Sequence, residues 1–196
     1  MTTTTSQRGW RTVDIVVAAV VSVAFGVVFV AWNAVWAFTE PIFVALPPAQ
    51  AVMYGVWLLP GVLVGLIVRR PGAALFAGVL SASVSALIGS QWGADAILSG
   101  VLQGGGAELG FAIGLYRRWN LPFAVLAGVL AAVGAGIHDI VVYYIDAGAD
   151  FWAVYAGAVM LSGALVAGVG AWLLVRALVP TAKSLSTPVG REQRDV

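Results

Sequence analysis

Six long apolar stretches, separated only by short polar or proline-containing connections, dominate this sequence and leave it few folds to adopt. A bilayer core about 30 Å thick needs roughly 20 apolar residues as helix. Cutting the chain at its prolines and charge clusters gives stretches at about 13–38, 48–68, 73–90, 96–116, 121–145 and 152–178. The expectation is an all-α membrane protein, a bundle of about six transmembrane helices. Composition agrees: the chain is 61% hydrophobic and 10% charged, with a mean hydropathy of +0.96, where a soluble domain is about half apolar and about a quarter charged. Glycine, at 24 of 196 residues, suits membrane helices, which pack by close backbone approach.

The ends differ from the middle. The opening MTTTTSQRGWRTVD is polar and basic, and the apolar run from Val13 to Phe38 is far longer than the core of a cleavable signal peptide. It is expected to be a retained first span. The expected domain plan is a cytoplasmic N-terminal segment over 1–12, a six-span substrate-binding domain over 13–178, and a polar, disordered cytoplasmic tail over 179–196.

Charge gives the expected orientation. All ten Lys and Arg, namely Arg8, Arg11, Arg69, Arg70, Arg117, Arg118, Arg176, Lys183, Arg191 and Arg194, fall at one side of the spans. The loops of the other side carry Glu40, Asp95, Asp146 and Asp150. By the positive-inside rule the chain is a multi-pass protein of the cell membrane with both termini in the cytoplasm. The short arginine turns force spans 2 and 3, and spans 4 and 5, to be antiparallel neighbours.

Several chemistries are excluded or unsupported. With no cysteine there are no disulfides, thiolate nucleophiles or cysteine metal sites. Phosphate-binding GxxxxGK[ST] loops, HExxH zinc motifs and GxSxG elbows are absent from the sequence, so no cofactor, metal or catalytic set is expected, and an ATP motor would have to be another chain.

Ionisable groups inside a bilayer cost at least about 2.5–3.5 kcal/mol, so they face a cavity or a partner helix. Glu108 in span 4 and His138 with Asp139 in span 5 are such groups. One reading is an interhelical polar contact; the other is a polar ligand site, with a proton relay as a further option. At 1.5 Å per residue, His138 and Asp139 lie about 10 Å, and Glu108 roughly 18 Å, below the external end of their spans. Between them in depth lie Gln103 and the trio Gly104, Gly105 and Gly106, whose missing side chains either admit a neighbouring helix or make room for a flat ligand.

Aromatic residues gather at the external end: Trp32, Trp36, Tyr54, Trp57, Trp92, Tyr143 and Tyr144. An interfacial belt accounts for Trp36 and Trp152. Tyr54 and Trp57 lie a turn or more below the loop and Asn33 accompanies Trp32, a set suited to an aromatic, cationic ligand. In span 1, Ala18, Ser22 and Gly26 form a small-residue stripe that serves either packing within the bundle or docking of another membrane subunit.

Taken together, FGVVFVAWN, PPAQAVMYGVW, VRRPGAALFAG, GSQWGADAILSG and VLQGGGAELGF leading to YRRW resemble the S components of energy-coupling factor (ECF) transporters, YkoE type, over about Trp10 to Leu178. The resemblance implies a vitamin-binding subunit, not an enzyme, that works with a transmembrane coupling (T) subunit and two ATPase subunits. It implies thiamin or its hydroxymethylpyrimidine precursor as ligand, and it turns the Ala18, Ser22 and Gly26 stripe towards the docking reading. The substrate-binding residues expected on this basis are Glu108, Gln103, Trp92, His138, Asp139, Tyr54, Trp57, Asn33 and Tyr143. The alternative is a proton-coupled secondary transporter of a small cationic or aromatic solute, using Glu108 and Asp139.

Overall fold

The computed structural model describes residues 9–178. Arg8, Lys183, Arg191 and Arg194, together with the expected tail over 179–196 and most of the segment over 1–12, lie outside the described residues.

The described chain is helical throughout its spans. Helix α1 (Thr12–Thr39) runs into a 3-10 turn at Glu40–Phe43. The second span opens as a 3-10 helix, Pro47–Met53, and continues as α2 (Gly55–Val68). Then follow α3 (Ala73–Ile88), α4 (Asp95–Ile113) and α5 (Leu121–Val142). The last span is α6 (Ala149–Ser162), a π-helical stretch at Gly163–Gly170, and α7 (Ala171–Leu178).

Among the described residues five helical segments are long and apolar enough to cross a bilayer: Thr12–Phe43, Pro47–Val68, Asp95–Ile113, Leu121–Val142 and Ala149–Leu178. The expected third span is shorter, 16 residues, or about 24 Å of helix. It stops because Gly89, at φ +120°, takes a backbone conformation that side-chain-bearing residues avoid.

Helix α2 forms the middle of the bundle, touching α1, α3, α4, α5 and the last span. Nearly every residue from Leu58 to Val68 is buried, as expected for a helix apolar on all sides. Helix α3 lies between α1 and α4, and α4 lies along α5. Small residues permit these approaches. The carbonyl of Leu130 stands 2.2 Å from where a Cβ on Gly106 would be, and the Cα of Ala127 stands 2.4 Å from that of Gly110. Gly104 backs onto Ala74 and Leu75 of α3, while a Cβ on Gly105 would meet nothing within 4 Å. The trio thus serves helix approach on two sides and opens into no ligand space.

Helix α1 buries a single stripe: Asp14, Ala18, Ser22, Gly26, Phe29 and Asn33. The expected docking face Ala18, Ser22 and Gly26 is therefore turned inward. Ala18 packs with Val64, Val68, Ala73 and Ala77, the Ser81 hydroxyl donates to the Ser22 carbonyl at 3.0 Å, and a Cβ on Gly26 would lie 2.5 Å from that of Val84. The stripe is filled by α3 because α3 offers equally small residues there. At the arginine end of the same stripe, the buried Asp14 carboxylate accepts from the Arg11 side chain at 3.0 and 3.3 Å and lies 3.6 Å from the Arg70 guanidinium.

The glycine geometry separates neighbouring positions. Gly106→Ala should lower the melting temperature of the detergent-purified protein by several degrees, from an overpacking cost of about 1–3 kcal/mol. Gly105→Ala, one residue away, should leave it unchanged.

Candidate binding cavity

At the end of the bundle opposite the arginine turns, the helices enclose a cavity of about 350 Å³, within the range of small-molecule sites. One wall is aromatic. The Trp57 ring centroid lies 5.1 Å from Trp36, 5.2 Å from Tyr54 and 5.4 Å from Trp92, with tilted or edge-on packing. Polar groups fix this wall. The Trp57 indole N–H donates to Asn33 Oδ1 at 3.1 Å, and Asn33 Nδ2 donates to Ser90 Oγ at 3.3 Å. Trp36 therefore belongs to the cavity and not to an interfacial belt, because α1 continues past it and α2 packs a tyrosine and a tryptophan against its ring. Trp152, outside the cavity lining, donates its indole N–H to the Tyr144 carbonyl at 2.6 Å.

The facing wall is a chain of hydrogen-bonding side chains. Tyr155 donates to Asp139 Oδ2 at 2.5 Å, and Asp139 Oδ1 lies 2.7 Å from His138 Nδ1. His138 Nε2 lies 3.2 Å from Asp95 Oδ1, and the Tyr143 hydroxyl donates to the other Asp95 oxygen. The chain joins the start of α4, the last turn of α5 and the middle of α6. His138 and Asp139 are buried, whereas the Asp95 side chain is 29% exposed at the mouth. Burial, and then the hydrogen bond to Asp95, push the Tyr143 phenol upward from its ordinary pKa. Deeper, Gln103 Nε2 donates to Ser99 Oγ at 2.6 Å and to the Tyr54 hydroxyl at 3.4 Å.

The structure thus brings together Asn33, Tyr54, Trp57, Trp92, Gln103, His138, Asp139 and Tyr143 around one space. Glu108 is not with them. It lies near the arginine end of α4, where one carboxylate oxygen accepts from the Gly72 N–H at 2.6 Å and the other from Ala74 at 3.0 Å and Leu75 at 3.4 Å. Helix α3 begins on a glycine at φ +86° that has no side chain to cap it, so a carboxylate from α4 takes up its exposed N–H groups and meets its positive end. Burial, reinforced by a hydrogen bond to Glu108, pushes the Tyr116 phenol up to about 12. The expectation that Glu108 lines the ligand site is corrected accordingly.

The sequence does not single out Asp95, Ser85, Ser90, Ser99 or Tyr155 as ligand-binding, and all of them line the cavity, as does Tyr144 of the external aromatic group. Asp95 reads as a loop residue in the sequence, but it is the first residue of α4, and its place three residues after Trp92 is the signal that could find it. Tyr155 lies three residues past Trp152 in a run with no charge after Asp150, so nothing in its surroundings distinguished it.

A helical bundle that spans the membrane several times and encloses a polar and aromatic cavity at one end is built to bind a small solute. Comparison with known proteins gives the class. Residues 13–134 match the family described as "ABC-type cobalt transport system, permease component". The chain is 31% identical over 162 residues to the "Putative HMP/thiamine permease protein YkoE" of Bacillus subtilis (strain 168), covering 82% of this chain and 80% of that one. Its fold matches the "Crystal structure of an S-component of ECF transporter" with a TM-score of 0.87 and 28% identity, over 95% of this chain and 94% of the other. The chain belongs to the S components of ECF transporters, YkoE type. It is a multi-pass membrane transport subunit and not an enzyme.

Separating Glu108 from the cavity yields an expectation. Glu108→Gln removes the charge at the start of α3 and should lower the melting temperature by several degrees, for a cost of about 1–2 kcal/mol. The fluorescence emission maximum of the cavity tryptophans should stay where it is.

Proposed function

We propose that the protein is the substrate-binding subunit of an ATP-driven ECF importer that takes thiamin or its hydroxymethylpyrimidine precursor from outside the cell. One observation carries this reading: an aromatic wall and a chain of hydrogen-bonding side chains face each other across a cavity of small-molecule size. An aminopyrimidine is a flat ring with donors and acceptors on its edge, and the thiazolium of thiamin is a cation. Trp57 and Trp92 supply faces for stacking, and Gln103, His138 and Asp139 supply partners for the ring edge. The name of the Bacillus subtilis relative points to the same ligands.

The description of the matched family mentions cobalt, which would want a converging set of nitrogen or oxygen ligands. Among the described residues no three His, Asp or Glu side chains are grouped to hold a metal ion. Both ring nitrogens of His138 already face carboxylate oxygens, and the rest of the lining offers rings, hydroxyls and amides. The donor set favours an organic ligand.

The cavity opens outward in this reading, because the arginines gather at the other end of the spans and basic residues mark the cytoplasmic side. Both termini are then cytoplasmic, flanking a binding domain over 13–178. Transport would proceed with a T subunit and two ATPase subunits, since this sequence carries no phosphate-binding loop. The proton-coupled alternative has little support: Glu108 is held by the backbone of α3 at the end of the bundle remote from Asp139.

Titration of the purified protein with thiamin and with hydroxymethylpyrimidine should quench tryptophan emission. Trp57→Ala should weaken binding about tenfold or more, the effect of losing a stacking face, and His138→Ala should weaken it less, because a ligand bonded there only exchanges partners. If neither ligand quenches emission or gives calorimetric heat, the substrate class is wrong.

A further inference from the structure

Apart from His138, whose ring nitrogens both face carboxylates of Asp95 and Asp139, the charged side chains at the cavity end of the described protein are all acidic. Asp95 and Asp139 line the cavity. Glu40 ends α1, Asp146 lies in the turn after α5, and Asp150 lies in the first turn of α6. Glu40 comes near enough to the mouth that its charge, after burial and Asp139, helps raise the Tyr144 phenol. The described arginines, Arg11, Arg69, Arg70, Arg117, Arg118 and Arg176, belong to the opposite end.

An anion without a cationic side chain can still be held by a helix N-terminus. Besides the four-residue 3-10 turn that opens on Glu40, three helical segments begin at the cavity end among the described residues, and none offers that. The first begins with Pro47 and Pro48, which have no N–H to give. The second and third, α4 and α6, already carry Asp95 and Asp150 in their first turns, so a carboxylate offsets the positive end of each.

We propose that the site selects its ligand by charge: it admits the unphosphorylated vitamin or pyrimidine and rejects the phosphate esters of the same molecules. The inference rests on the binding role given to this cavity above and adds to it the form of the ligand. A phosphate on the hydroxymethyl or hydroxyethyl arm, whether buried or trailing out through the mouth, meets the Asp95 carboxylate and the loop carboxylates with no lysine or arginine among the described residues to neutralise it, and His138 already faces two carboxylates of its own. The cost is greatest at low salt, where like charges at a partly exposed site are least screened. Asp95 is the main determinant because it alone stands both on the lining and at the mouth.

The test is a series of titrations on the full chain in detergent or nanodiscs, read by tryptophan quenching and calorimetry, with thiamin, thiamin monophosphate, thiamin diphosphate, hydroxymethylpyrimidine and its phosphate. Each ester is expected to bind at least about tenfold more weakly than its parent, and raising the salt concentration should narrow the gap. Asp95→Asn should narrow it further by improving ester binding relative to the parent. If the variant does not fold, the wild-type series and its salt dependence decide alone. Esters that bind as tightly as their parents overturn charge selection while leaving the binding role intact. No binding by any member of the series overturns both.

Discussion

A carboxylate placed within a membrane span must find its hydrogen-bond donors inside the protein, and the rest of this structure depends on that constraint. Asp14, Glu108 and Asp139 each meet it, and all three do so by reaching another element. Asp14 ties the start of α1 to the Arg70 turn. Glu108 ties α4 to the first N–H groups of α3. Asp139, through His138 on one side and Tyr155 on the other, ties α5 to α4 and α6. Apolar side chains against lipid impose almost no register on neighbouring helices. These polar links do, because an axial slip of one residue would leave a charged group without partners.

Within the register so set, residue size decides where the bundle is solid and where it is hollow. Glycine and alanine bring α4 and α5 into backbone contact, and the stripe on α1 does the same against α3. The stripe then changes character. Beyond Gly26 it continues as Phe29 and Asn33, both of which line the cavity. On α2 the change comes at the opening turns, where Tyr54 and Trp57 stand in place of the small and branched residues farther along. Large rings hold the helices apart at one end while small residues close them at the other, so the cavity follows from the gradient of side-chain size along the spans.

Much of this was legible in the sequence because hydrophobic length and charge placement are one-dimensional signals. The spans fall close to their expected bounds, and eight of the nine residues expected to bind ligand stand around one cavity. Depth along a helix was less legible. Gln103 lines the cavity, yet Glu108, little more than a turn further along α4, lies at the start of α3 instead. Facing was not legible at all. Nothing in the spacing of Ala18, Ser22 and Gly26 says whether the small face meets a helix of the same chain or of another. The answer lay in α3, where Ala77 and Ser81 are as small as their counterparts. Asp95 escaped for a similar reason, since an aspartate that opens a helix looks like a loop residue until the end of α5 brings His138 and Tyr143 to it.

The polar wall is hydrogen-bonded largely within itself. Tyr155 and Tyr143 close the two ends of the chain that runs through Asp139, His138 and Asp95, so one oxygen of each carboxylate accepts from a phenol and the other faces the imidazole. A ligand that hydrogen-bonds here exchanges partners and gains little net energy from doing so, while a ligand that offers no donor leaves the wall as it was. In the binding role proposed above, the polar wall is therefore a source of discrimination, and the free energy of binding comes mainly from the rings opposite, where Trp57 and its neighbours would lose water to a flat ligand. Asn33 and Ser90 hold those rings in place beforehand, which lowers the ordering cost that an aromatic site would otherwise carry.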